Sequence, residues 1–524
     1  MNLLKAITTV GGYTLLSRVF GFIRDMLIAN FLGAGMIADA FVVAFRLPNL
    51  FRRLFAEGAF AAAFVPLFAR ELEGEDGDAA AARARARAFA DQAMTLLTLV
   101  LVALVVVMEL IMPWAMVILA GGFDAVPGKM ELATELSRIA FPYLLFISLV
   151  SLQSGVLNSL GKFAAAAAAP VLLNLALIAA LLGFADHMET PGHALAWGVF
   201  WAGVAQFAWL AWHCRAHGFP LRLVRPRWTE KVALLVKRIL PVVFGASLYQ
   251  VNLLIGTILA TYVSDGAVSY LYYADRVTQL PLGVVGVAVG TALLPLLARQ
   301  LKAGETQAAL NSQNRGLEFA LLLTLPAAAA CLIIPDEIIH VLFERGAFGA
   351  EATAATASAL FAYATGLPAY VLIRVLAPGF YAREDTATPV RIAVVAMVVN
   401  IALMIALMKP MGHVGIALAT SASAWLNTLL LAGVLVRRGD FALDDRMKKR
   451  LPRILLATAG MVGVLEIARQ NLAFLIAGNV AEKVLGLGLL CALGLAAFMV
   501  FAVALRAAGL SDAKSMLRAK DLNR

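Results

Sequence analysis

Apolar runs of roughly 20 residues or more, separated by short polar connectors, dominate this chain. Their spacing predicts about fourteen membrane-spanning helices. These cover 6–32, 37–70, 89–119, 132–157, 163–184, 194–212 and 238–263 in the first half. Then come 268–297, 317–341, 353–380, 389–408, 414–436, 452–472 and 480–505. The second span is interrupted by Pro48 and Gly58, and the first two are the least hydropathic of the set. Residues 71–87, acidic and rich in Ala and Arg, read as a solvated amphipathic connector.

The basic residues test this division independently. Arg83, Arg85 and Arg87 lie in one even-numbered connector, residues 215–238 and 437–453 hold further basic groups, and the tail adds Arg506, Lys514, Arg518, Lys520 and Arg524. The odd connectors 33–36, 185–193 and 264–267 contain no Lys or Arg. Because cytoplasmic connectors carry the Lys/Arg excess, both termini are expected in the cytoplasm.

Weak self-similarity runs at an offset of about six spans. Pro66-Leu67-Phe68-Ala69-Arg70 echoes Pro295-Leu296-Leu297-Ala298-Arg299, Asn174-Leu175-Ala176-Leu177 echoes Asn400-Ile401-Ala402-Leu403, and Gly192-His193 echoes Gly412-His413. An even offset keeps the two halves in one orientation, related by an axis along the membrane normal. The expected fold is therefore an all-α polytopic membrane protein: two six-helix repeats plus two C-terminal helices. The expected divisions are 1–215 (N-terminal lobe), 216–236 (basic cytoplasmic linker), 237–438 (C-terminal lobe) and 439–524 (last two spans and tail). A site near the midplane between the repeats is the expectation for such a build.

Composition narrows the class. The chain has 524 residues, is 62% hydrophobic and only 15% charged, where a soluble chain carries about 25% charge. The net charge of +10 sits at span ends rather than on a soluble face, which argues topology and against nucleic acid. Cys214, Cys331 and Cys491 have unrelated spacings and suggest neither disulfides nor zinc. The N-terminus lacks the short apolar region and cleavage site of a signal peptide, so Met1 is expected to stay.

The candidate chemistry lies where charge meets apolar sequence. The stretch 17–58 carries Arg18, Arg24, Asp25, Asp39, Arg46, Arg52, Arg53 and Glu57. Ionisable groups inside a membrane cost a few kcal/mol and usually face a bundle interior or wet cavity. Every cation in this stretch is Arg, which keeps its charge and offers a planar fork to phosphate or carboxylate. Arg18 and Asp25 share a helix face and could form a structural pair, leaving Arg24 as the free cation. Asp39, Arg46 and Glu57 could lock span one to span two. Arg52, just past Pro48, is the favoured cavity residue there, with Arg53 snorkelling.

In span eight, Asp275 and Arg276 point about 100° apart and so cannot easily neutralise each other; Arg276 is a cavity candidate, and Arg374 in span ten a secondary one. The basic run 446–453 reads as a topological signal or anionic-lipid contact. His213, His217 and His340 sit at span ends, while His187, His193 and His413 belong to short connectors without metal-ligand spacing. No phosphate-gripping Gly-rich loop, HExxH or Gly-x-Ser-x-Gly occurs.

The segments LLSRVFGFIRDMLIANFLGAG, ADAFVVAFRLPNLFRRLFAEGAF, FVPLFAREL and YLYYADRVTQLPLGVVGVAVGTALLPLLAR resemble the MurJ (MviN) family of bacterial lipid II flippases. That family belongs to the multidrug/oligosaccharidyl-lipid/polysaccharide exporter superfamily, and the resemblance covers essentially the whole chain. It implies two six-helix lobes, two C-terminal helices forming a groove for the polyprenyl tail, and movement of undecaprenyl-pyrophosphoryl disaccharide-pentapeptide between leaflets for peptidoglycan synthesis. It also implies substrate-binding roles for Arg18, Arg24, Arg52 and Arg276, with Asp39 among the important acids. Two departures stand out. Gln279 replaces a family Glu after the span-eight Arg, and spans seven, eleven and twelve hold no Asp or Glu, only Gln250, Asn252 and Asn400, so no sodium site is expected there.

The function expected is therefore flipping of lipid II by alternating access, with an arginine-lined cavity for the pyrophosphate and Asp25, Asp39, Glu57 and Asp275 as supporting charge partners. A cell-wall role in the bacterial inner membrane, a transporter rather than an enzyme, a monomer, and contacts with membrane lipids and cell-wall synthesis proteins are expected. No cofactor, metal or nucleic acid is expected; monovalent-ion coupling is left open. The alternatives are a related exporter of drugs or another polyprenyl-linked glycan, and a lipid-linked glycosyltransferase, which would need a carboxylate-rich outer loop.

Overall fold

Helix follows from apolar continuity almost everywhere. The computed structural model describes residues 3–52, 60–73 and 78–507, which contain helices and no strand. In chain order the helices are α1 (Leu3–Leu32), α2 (Met36–Phe51), α3 (Phe60–Glu73), α4 (Ala79–Ala120), α5 (Lys129–Ala140), α6 (Tyr143–Ser159), α7 (Phe163–Phe184) and α8 (Pro191–Ala216). They continue with α9 (Glu230–Thr261), α10 (Ala267–Lys302), α11 (Thr306–Ile333), α12 (Pro335–Phe343), α13 (Ala350–Tyr381), α14 (Ala387–Arg437), α15 (Asp445–Asn471), α16 (Ala473–Ile476) and α17 (Val480–Ala504). Among the described residues, nine segments are long and apolar enough to cross a bilayer. The apolar window of α4 is only 17% buried, with Leu99, Val100, Leu110 and Ile118 exposed. An apolar face that large is sustained by lipid, not water.

The chain forms two compact units, Met1–Ser269 with Arg345–Phe348, and Tyr270–Glu344 with Gly349–Arg524. In the first, α1 lies on α7, where Asn174 Nδ2 donates to the Ser17 carbonyl at 2.9 Å. Phe60, Phe64 and Phe68 recur every fourth residue along α3 and so share one face. Their rings stack in sequence, and Phe64 stacks in turn on Phe89 of α4 at 5.5 Å. The second unit has its core where α11, α13 and α14 meet, around Leu317, Val375, Phe380 and Leu431. Ile454 and Met461 of α15 pack with Phe498 of α17 in a smaller cluster.

Two details depart from the expected spans. The connector 71–87 is helical from Ala79 onward, continuous with the third span, because Ala and Arg are strong helix formers; Asp78 caps it, accepting from the Ala80 and Ala81 N–H groups. The ninth span breaks at Ile334, before Pro335, into α11 and α12.

The 51 residues of α14 would reach about 76 Å as one helix, against a hydrocarbon core of about 30 Å. Gly412 leaves helical geometry at φ 60°, ψ −140°, a region open to glycine. In a continuous helix Leu407 and Gly415 would be about 12 Å apart. Instead, a Cβ on Gly415 would come within 2.4 Å of the Leu407 carbonyl oxygen. The chain turns back there, and the two arms match the separate spans 389–408 and 414–436.

Candidate functional site

Arg24 is the most constrained of the candidate arginines. Its Nε and Nη2 donate to Asp25 Oδ1 at 3.0 and 2.6 Å, and its Nη1 donates to Asn174 Oδ1 at 2.8 Å. Asn174 in turn reaches the Ser17 carbonyl, so one amide fixes both the guanidinium and the α1–α7 contact. The expected Arg18–Asp25 pair is thus replaced by Arg24–Asp25. Adjacent Cβ atoms do diverge, but a guanidinium on three methylenes is long enough to fold back onto the next residue. Arg18 is exposed on α1 and, among the described residues, forms no ion pair.

Arg52 follows α2, beyond Pro48, and its Nε and Nη2 both reach Asn49 Oδ1, at 3.0 and 2.7 Å. A neutral amide orients this guanidinium. Arg52 lines a cavity of about 440 Å³ within the first unit, walled by α1, α6, α7 and α8. Ser151, Ser154, Asn158 and Gln206 add polar groups to an otherwise apolar wall. Gln206 is 1% exposed and donates to the Ala169 carbonyl at 2.6 Å. Its Oε1 has no partner among the described residues. A buried acceptor of this kind awaits a donor from solvent or ligand. Glu57, expected as a charge partner, and Arg53 lie outside the described residues.

Arg276 belongs to the second unit. Its guanidinium lies 4.7 Å from the Tyr272 ring centroid, and Nη2 is 3.9 Å from Asp275 Oδ2. Asp275 also accepts from Gln279 Nε2 at 3.2 Å. The Gln that departs from the family pattern therefore serves as a neutral donor to the aspartate one turn earlier. The ring face attracts the guanidinium without adding a negative charge beside it. Arg374 is exposed on α13 and, among the described residues, has no ion-pair partner.

Asp39 does not tie α2 to α1. It is fully buried and accepts from Lys129 Nζ at 2.7 Å, the Gly266 N–H at 2.9 Å, the Ser269 N–H at 2.8 Å and the Ser269 hydroxyl. The carboxylate caps the start of α10 from a distant helix, taking two of its otherwise unsatisfied N–H groups. Lys129, 1% exposed, also donates to Asp265 Oδ1 at 2.6 Å and lies 4.2 Å from the Phe123 ring centroid. Nothing in the sequence flagged Lys129, since a lone Lys at a span edge ordinarily reads as a topology marker.

In the second unit, Glu318 receives three guanidiniums, those of Arg315, Arg446 and Arg450. Arg315 also reaches Asp444, the N-cap of α15. Arg446 and Arg450, two of the five basic residues in the run 446–453, are thus engaged in holding α15 to α11 rather than turned to lipid.

Comparison with known proteins carries the identification. The profile of the family described as "Lipid II flippase MurJ" matches residues 28–506. A probable lipid II flippase MurJ of Rhizobium meliloti is 45% identical over 527 residues, covering 99% of this chain and 96% of the relative. One from Vibrio cholerae is 37% identical, covering 95% of each. Among solved structures, a lipid II flippase MurJ in an inward closed conformation matches with a TM-score of 0.76 at 22% identity, over 95% of this chain and 98% of the other. An inward-facing MATE family multidrug transporter of the MOP superfamily matches at 0.66 and 14% identity, over 83% and 98%. The structural matches establish the fold. Taken with the sequence relatives, they show that this chain is a multi-pass membrane protein belonging to the lipid II flippase MurJ family.

Proposed function

We propose that this protein moves lipid II from the inner to the outer leaflet of the bacterial cytoplasmic membrane by alternating access, with Arg18, Arg24, Arg52 and Arg276 receiving its pyrophosphate and both termini in the cytoplasm. The observation that carries this reading is the placement of Arg52, a permanent cation at the wall of an open cavity lined mostly by apolar side chains. The cavity's volume of about 440 Å³ falls in the range of small-molecule sites, about 300–1,000 Å³. It suits the pyrophosphate and the adjoining part of a head group rather than the whole of one.

Each arginine contributes differently. Asn49 Oδ1 orients Arg52, and a planar guanidinium suits phosphate oxygens by bidentate hydrogen bonding. Arg24 is balanced by Asp25, and a phosphate must displace that carboxylate to gain the guanidinium. The exchange makes binding reversible, which a carrier needs. Tyr272 supports Arg276 from one face without neutralising it.

No nucleotide-binding motif is present, and the membrane potential supplies a driving force. Moving one net negative charge outward from a negative interior is favoured by about 2.3 kcal/mol per 100 mV. The test is expression in a bacterium depleted of its own flippase, followed by labelling of lipid II head groups accessible from outside. Restored labelling is the expected result. A chain that inserts at normal level without restoring it removes this reading.

A further inference from the structure

Gly192 lets the start of α8 pack tightly: a Cβ there would lie 3.0 Å from Ile37 Cγ2 and 3.1 Å from Leu136 Cδ1. The close approach sets His193, in the first turn of α8, beside Glu135 of α5. His193 Nε2 is 3.5 Å from Glu135 Oε2. Glu189, in the connector before α8, completes a group whose ligand atoms all lie within 4.8 Å of one another.

His193 is only 6% exposed, and among the described residues its Nε2 has no hydrogen-bond partner. Its Nδ1 is 2.9 Å from Thr190 Oγ1. With Nδ1–H donating to that hydroxyl, Nε2 presents its lone pair to two carboxylates. Three electron donors facing one another are unfavourable unless a cation lies between them. A hydrogen-bond partner holding the far nitrogen, as Thr190 does here, is the usual support of a metal-bound imidazole.

We infer that His193, Glu135 and Glu189 form a binding site for a divalent first-row transition ion, with Zn²⁺ as the natural occupant. One imidazole and two carboxylates leave a fourth position to water, a common zinc arrangement. Calcium and magnesium prefer all-oxygen sets and are disfavoured by the imidazole. In a tetrahedral site with donors about 2.1 Å from the ion, any two donors stand about 3.4 Å apart. The present spread of up to 4.8 Å therefore needs to shrink by up to about 1.4 Å, which rotation of two exposed glutamate side chains can supply. The ion would fasten α5 to the entrance of α8. It carries two positive charges into a group bearing two negative ones.

The test uses tag-free, full-length protein in detergent, stripped with EDTA and then titrated with ZnCl₂ in the presence of excess MgCl₂. Calorimetry and elemental analysis are read together. The wild type is expected to retain about one zinc per chain and to melt several degrees higher with zinc than without. Glu135→Gln and Glu189→Gln each preserve side-chain shape at exposed positions, and each is expected to weaken zinc binding by at least about tenfold. His193→Gln is expected to abolish it, with melting in EDTA reporting on the fold separately. The proposal is overturned if the wild type holds no stoichiometric zinc, as a bare His193–Glu135 ion pair would require. It is equally overturned if either Glu variant binds zinc like the wild type.

Discussion

Asp39 and Lys129 meet at 2.7 Å with both side chains almost wholly removed from solvent. Removing two charges from water is costly, and their attraction repays it only where the remaining lone pairs and protons are satisfied. Here they are, through Ser269, Gly266 and Asp265. Lys129→Met leaves Asp39 charged, buried and short of its cation. It is expected to destabilise the protein by about 3–5 kcal/mol, read as a lower denaturation midpoint in detergent. The double variant Asp39→Asn/Lys129→Met is expected to lose less than the sum of the two single changes.

Glu318 is expected to behave in the opposite electrostatic sense. Glu318→Gln leaves Arg315, Arg446 and Arg450 converging without their shared anion. A loss of about 1.5–3 kcal/mol is expected, the range for hydrogen bonds to charged groups. It should appear as a lower melting temperature and as earlier proteolysis between α14 and α15. Unchanged melting would mean that the three guanidiniums find equal partners elsewhere.

Arg24 must reach Asp25 and Asn174 together, which needs a fork and not a point charge. Arg24→Lys is therefore expected to lower lipid II delivery at least about tenfold despite keeping the positive charge, with protein level unchanged. Asn174→Leu is expected to do the same by unseating Arg24 and freeing the Ser17 carbonyl. Delivery at the wild-type rate in Arg24→Lys would show that charge alone suffices.

Asp385, in the turn between α13 and α14, is held well below the usual carboxylate range, chiefly by the hydrogen bond from Arg438 and also by Thr388. A depressed pKa stabilises the fold above the unfolded value, about 3.9 for Asp, and that benefit is lost as the pH falls through the folded value. The stability difference between wild type and Asp385→Asn is thus expected to be constant above about pH 5 and to close below pH 4. Thermal melts across that window measure it.

Fold class was legible because spans are long and apolar, and a repeat of about 20 such residues has few other readings. The helical hairpin at Gly412 shows the strength of that signal, since two separate spans were expected where secondary structure alone gives one long helix. Where charges pair was much less legible. Arg24 folds back onto its neighbour, and Asp39 finds its partner on α5, ninety residues on. Neither follows from helix periodicity, which reports only on residues within a few turns. His193 escaped for the same reason. Its candidate co-ligand Glu135 is on another helix, so no spacing in the sequence could announce it. The position of Arg52 at the cavity wall was legible because Pro48 and a guanidinium in an apolar segment are both local features.

If guanidiniums held among apolar helices receive the pyrophosphate of lipid II, Arg52 at the cavity wall is the residue whose loss tests it most directly. The decisive measurement is outer-leaflet labelling of lipid II in a flippase-depleted strain carrying Arg52→Ala at wild-type protein level. Loss of at least about nine-tenths of the labelling, a barrier increase of about 1.4 kcal/mol or more, is the expected result. Labelling equal to the wild type would contradict it.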